Sequence, residues 1–301
     1  MLFRSTGDFG VQFVDLGLYA QYGNETVQGG WSIVDGVGEN GYVADNFFMR
    51  GKGTQSGTDD TRNQIAKDGS IEAYKDNVKG YNNIAFNAEL VDKTKIAKQV
   101  GSYNPAYTDA SGKILLTIDK MYPGYAQAFR TDVVNVGDIA AKLSNIKFEA
   151  KDLDGKELGN LKEMIGVAVY IDREQYRPDQ KVDEPVFELA KFMNSDRTFS
   201  VGGVDFIRLS ALNDKDVKEA LKNNVIKCAP ATDQRLDMFV AVAMDPDAQG
   251  VYTTGTSENR KDNNDKDSQS KGVEVSMDLL WDQFNVGKDA GTPNILVNQN
   301  K

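Results

Sequence analysis

Histidine is absent from this chain of 301 residues, cysteine occurs once and tryptophan twice. Without imidazole, HExxH proteases, Ser-His-Asp hydrolases and Cys-His proteases are excluded as self-contained sites, as are the usual His-containing zinc centres. The lone Cys228 cannot form an internal disulfide, a CxxC redox pair or a cysteine zinc cluster. Its plain reading is a small buried hydrophobe. Eighteen consecutive apolar residues occur nowhere, which argues against a membrane-spanning helix. Positive charge is the minority, 35 Lys+Arg against 45 Asp+Glu, for a formal net charge of −10. No run of Lys or Arg supplies the basic face that nucleic acid needs. The opening residues 1–7 also lack the apolar stretch of a signal peptide, so the chain reads as cytosolic or as the mature part of an exported precursor.

What is present is mostly strand. The clearest strand-like runs are 10–22, 84–91, 113–119, 125–134, 139–150, 166–171, 204–209, 236–244 and 273–281. In the last, Val273, Val275, Met277 and Leu279 alternate with Glu274, Ser276 and Asp278, the period of two that a half-buried antiparallel strand needs. Turn formers punctuate the runs: Pro123-Gly124, Asn135-Val136-Gly137, Asp154-Gly155 and Gly202-Gly203. Helical spacing with a capping residue predicts a helix over 213–226, and Pro185 at a first-turn position predicts a second over 185–193. The fold expected is all-β, a jelly-roll or immunoglobulin-like β-sandwich with inserted loops and one or two short helices.

Several motifs invite chemistry. Gly36-Val-Gly38-Glu-Asn-Gly41 has dinucleotide-binding spacing, but no long helical period follows it, so it reads as a glycine-rich surface loop. Asp152 and Asp154, Asp245 and Asp247, and Asp262, Asp265 and Asp267 are weak calcium candidates, since Ca²⁺ collects oxygens from such clusters. None completes an EF-hand loop, and solvated acidic turns are the plainer reading. No other metal or cofactor is expected. Nothing singles out a carboxylate pair for glycoside hydrolysis.

One stretch is more specific. Residues 121–143 run strand, Tyr122-Pro123-Gly124 turn, strand, Asn135-Val136-Gly137 turn, strand. This resembles the motif of the TasA/camelysin family, in which the Pro-Gly turn reverses the chain and the Asn-x-Gly opens the next hairpin. Residues 81–91 look like the family's early strand, with Asn87 near the position of a family glycine, and residues 272–285 look like its closing strand. The resemblance implies a secreted jelly-roll sandwich, exported with a dedicated signal peptidase and assembled into extracellular matrix fibres by donor-strand exchange. Metalloprotease activity, to which camelysins have been assigned, is not carried over to a chain without histidine.

On that reading residues 1–22 are a donor-strand segment, 23–80 a Gly/Asn-rich elaboration, and 81–301 the sandwich core with insertions around 151–230 and 255–272. Phe9, Val11, Phe13, Val14, Leu16 and Leu18 would form the donated strand, filling the apolar groove of a neighbour that lacks one. The same strand could equally pair within its own domain. The expected partner is a second copy, in a homopolymer with an anchoring or capping subunit, and contacts of this head-to-tail kind do not close. With a net charge of −10, lateral bundling of such fibres would depend on salt. The alternative is a secreted monomeric module that binds glycan or matrix on aromatics such as Trp31, Tyr42 and Phe47. A further alternative is a His-free hydrolase working through carboxylates.

Overall fold

The computed structural model describes residues 10–22, 31–33, 86–91, 95–96, 109–121, 123–173, 187–229, 236–248 and 271–284. They form an all-β sandwich of antiparallel sheets with two short α-helices. The strands are β1 (Val11–Tyr22), β2 (Trp31–Ile33), β3 (Phe86–Leu90), β4 (Lys95–Ile96), β5 (Asp109–Ala110), β6 (Lys113–Met121), β7 (Ala126–Asn135) and β8 (Ala141–Lys151). After them come β9 (Ile165–Arg173), β10 (Phe187–Glu188), β11 (Thr198–Val201), β12 (Val204–Arg208), β13 (Lys227–Cys228), β14 (Leu236–Met244) and β15 (Lys271–Gln283). The helices are α1 (Leu161–Met164) and α2 (Asp214–Asn223).

The larger sheet has the order β11-β12-β9-β14-β7-β1-β2, with β10 added to β9, and the smaller has the order β13-β8-β15-β6-β3. Alternation decides what lies between them. Ile114, Leu116 and Ile118 of β6 meet Val273, Val275 and Met277 of β15 in one core with Phe129 and Val133 of β7 and Met238, Val240 and Val242 of β14. The other face of the small sheet is polar, with Lys113 ion-paired to Asp278 at 3.9 Å and to Glu149 at 4.0 Å.

The large sheet is buried on both faces: every residue of β7 and of β14 is buried. Its outer face carries Ala126, Ala128, Ala168, Ala241 and Ala243, and the β11–β12 hairpin packs Phe199, Val201, Val204 and Phe206 onto that face. Small residues permit this close approach. A Cβ on Gly166 would stand 2.6 Å from Phe199 Cε1 and 2.9 Å from the Ile207 carbonyl. The hairpin closes through Gly202 and Gly203 with φ of 59° and 80°, and Val201 faces Val204 across the turn. Two successive positive φ values are what a two-residue hairpin loop requires.

Three expectations change. The Pro123-Gly124 and Asn135-Val136-Gly137 turns make no hairpins, because β6 and β8 belong to the small sheet and β7 to the large one. Each turn carries the chain across the sandwich. Gly124, at φ 81°, donates its N–H to Met244 O at 3.0 Å, and Met244 N–H donates to Tyr125 O, so the crossing is welded to the end of β14. The expected helix over 185–193 is instead β10 followed by a 3-10 turn at Leu189–Phe192. Phe187 and Glu188 pair with Ile171 and Tyr170 on β9, and sheet pairing outweighs the propensity of a short segment. Third, the stretch 151–230, read as an insertion, contributes β9, which matches β14 through nine unshifted positions at the centre of the large sheet.

Helix α2 forms where expected. The Asn213 side chain accepts from Asp216 N–H at 3.0 Å, and Val217, Ala220 and Leu221 are buried. It ends earlier than its apolar spacing suggests, because Ile226 turns to accept from Leu143 N–H at 2.9 Å and β13 joins β8.

Candidate assembly site

The strand read as a donor lies in its own large sheet, antiparallel to β7. Its register has three blocks, separated by shifts between Val14 and Gly17 and between Leu18 and Ala20. The first shift has a sequence cause. Val11 and Phe13 sit at odd positions and Leu16 at an even one, so a straight strand would send them to opposite faces. Yet Val11, Phe13 and Leu16 all pack on the central core. The extra residue reconciles the two phases: Val14 faces Asp132 and Gly17 faces Arg130, so Asp15 and Leu16 together oppose Thr131. That two-against-one arrangement is a β-bulge.

Both edges of β1 are engaged, unequally. Against β7 it is matched from Val11 to Tyr22. On the other side, among the described residues, β2 pairs with Ala20–Tyr22 only, and Ser111 bridges Phe13. That bridge has two main-chain bonds, Phe13 N–H to Ser111 O at 2.6 Å and Ser111 N–H to Phe13 O at 3.1 Å. Phe13 is buried in the core and Val14 is buried against Val134 on the opposite face. At the N-terminal end, Val136 N–H donates to Gly10 O at 2.9 Å. Phe9 lies outside the described residues, and Leu18 is placed by its register opposite Phe129.

Of the turn residues, Asn135 does most. Buried, it donates through Nδ2 to Ile139 O at 2.8 Å and to Cys228 O at 3.0 Å, while its Oδ1 accepts from Gly137 N–H at 2.9 Å. One side chain thus closes the crossing from β7 to β8 and ties it to β13. Cys228 beside it is fully buried, and burial pushes its thiol up to about 12, so it stays protonated and unreactive. Tyr122 lies outside the described residues.

The calcium candidates are placed in part. Asp152 Oδ1 accepts from Asp154 N–H at 3.0 Å and Lys156 N–H at 2.7 Å, so it closes its own turn. Asp154 is exposed and paired with Lys156 at 3.4 Å. Asp245 holds Arg208 at 2.6 Å and accepts from Asp247 N–H at 2.9 Å. Asp262, Asp265 and Asp267 lie outside the described residues, as do Tyr42, Phe47 and the Gly36–Gly41 motif. Among the described residues no group of three or more acidic or cysteine side chains is arranged to hold a metal ion, and no helix is long and apolar enough to cross a membrane.

Sequence reasoning passed over a buried ion cluster on the outer face of the large sheet. Asp132 and Asp237 stand directly opposite each other on β7 and β14. Arg130 Nη2 lies 3.2 Å from Asp132 Oδ1 and 3.3 Å from Asp237 Oδ1, with all three side chains at most 6% exposed. Facing carboxylates repel, and the guanidinium between them offsets that. The signal was Arg130-Thr131-Asp132 within an otherwise apolar strand: charges that must find partners wherever they are buried.

Comparison with known proteins gives no family assignment. No family model matches the chain, and no curated protein matches it. Among solved structures, the enzymatically active domain of tailspike protein 4 from bacteriophage CBA120 aligns over 66% of this chain and 20% of its own. The identity is 10% and the TM-score 0.20, so the alignment carries no argument about fold or activity.

Proposed function

We propose that this chain is the structural subunit of an extracellular filament that grows head to tail, the N-terminal strand of one copy taking the place beside β7 in the next. The observation that carries the reading is the position of β1. It is the first described strand, it fills a slot along the length of β7, and its outer edge is held by Ser111 and the three residues of β2. Withdrawn, it would uncover the β7 edge and the apolar sites of Phe13 and Val14, a slot that only another extended segment could fill with matching main-chain bonds. The slot is the same on every copy, so donation from copy to copy does not close and yields a fibre. The sequence resemblance over residues 121–143 points the same way, although its two turns cross between the sheets instead of closing hairpins, and an anchoring or capping subunit would end the polymer. No catalytic role is part of this reading.

Electron microscopy tests it. The full chain is expected to form filaments and a chain without residues 1–22 only single particles. Filaments from the truncated chain, or none from the full one, would overturn the proposal, the latter in favour of a monomeric binding module.

A further inference from the structure

A β-bulge leaves a main-chain group without its ladder partner, and something else must satisfy it. Beside the first shift of β1 stands a side-chain donor. Thr131, buried on β7 and facing the two residues Asp15 and Leu16, donates its hydroxyl to Val14 O at 2.8 Å. A strand without the change of apolar phase between Phe13 and Leu16 would not form the bulge.

From this we infer that Thr131 sets the register of whatever strand lies beside β7, and so selects the phase-switched strand of this same chain over strands of other sequence. The register half rests on the β1–β7 geometry alone; the selection of a second copy rests on the filament reading. Thr131 acts as a positioning residue. It accepts a strand with two residues opposite it and leaves its own buried hydroxyl poorly met when only one is there. The lock is local, one donor for one extra residue.

Cysteine trapping in the full chain reads the register directly. With the bulge, residue 18 faces residue 129, as observed. Without it, residue 18 faces 128. Native Cys228 is buried and does not compete. Under mild oxidation, Leu18→Cys with Phe129→Cys is expected to close within one chain far more readily than Leu18→Cys with Ala128→Cys. Adding Thr131→Val should move that ratio by about ten-fold towards 128, the effect of losing one buried hydrogen bond. Thr131→Ser should restore it, and Thr131→Ala replaces Thr131→Val if the latter fails to fold. Deleting Asp15 straightens the strand while keeping 18 opposite 129, so in that background the hydroxyl should cease to matter. An unchanged ratio in Thr131→Val, or an equal change with and without Asp15, overturns the register assignment. Mixing chains that carry only Leu18→Cys with chains that carry only Phe129→Cys tests the other half. A disulfide between chains, weaker when the donor lacks Asp15, supports selection. A disulfide as strong without Asp15 refutes selection and leaves exchange standing. No disulfide between chains refutes the filament reading while the intrachain result still decides the register.

Discussion

Strands β14 and β1 both lie against β7, on opposite edges, and they are built to different rules. The contact between β14 and β7 runs from Leu236 to Ala243 without a shift, and β14 continues unshifted against β9 from Leu236 to Met244. The contact between β1 and β7 covers nine positions in three blocks with two shifts. β14 is buried on both faces, by the sandwich core and by the β11–β12 hairpin. β1 has two local supports beside its interrupted ladder: a threonine hydroxyl at its bulge and a main-chain bridge between Phe13 and Ser111. Unbroken ladders make a strand inseparable from its sheet, whereas a strand whose ladder is interrupted twice can have a stable place and still be removable.

The largest effect that should sharpen this contrast is at the ion cluster. Arg130→Met leaves Asp132 and Asp237 facing each other in a buried site, and should destabilise the whole fold by about 3–5 kcal/mol in chemical denaturation. Phe13→Ala removes a comparably large buried side chain, with an upper cost of about 3–5 kcal/mol. Here the loss should appear as faster amide exchange in β1, with β14 little changed, because β1 can leave without the rest unfolding. Equal acceleration in both strands would break the contrast.

Smaller effects follow. Between pH 9 and 12 the unfolded Cys228 thiol ionises while the buried one does not. The folded state then binds more protons, so stability falls as pH rises through that window, by at most about 1.4 kcal/mol per pH unit. Cys228→Ala should flatten that part of the stability profile, and alkylation of native protein at pH 8 should be negligible. Asn213→Ala removes the cap of α2 and should cost about 1 kcal/mol, read as a lower denaturation midpoint. Lys113→Ala, on the solvent face of the small sheet, should change stability by no more than about 0.5 kcal/mol.

The strands and their two-residue alternation were legible because burial on one face writes itself directly into the sequence. Val273 to Leu279 is the plainest case, and the capped helix at Asn213 is another. What could not be read is which sheet each strand joins. Pro123-Gly124 and Asn135-Val136-Gly137 announce turns, but a turn that crosses a sandwich and one that closes a hairpin use the same residues. The packing of the β11–β12 hairpin was also hidden, since it depends on five alanines and Gly166 lying side by side on three strands far apart in the chain. In the candidate site, Val11, Phe13 and Leu16 were legible as apolar. Their change of phase between positions 13 and 16 was visible too, and is the one signal from which the bulge could have been foreseen. Thr131 was not, because its role exists only opposite that bulge.

Native-state hydrogen exchange in increasing denaturant compares the two strands most directly. The account predicts that β1 amides exchange through a local opening of lower free energy and weak denaturant dependence. Those of β14 should exchange only with global unfolding. Identical free energies and denaturant slopes for the two strands would contradict it, because a strand that leaves only when the whole protein unfolds cannot be handed to a neighbour.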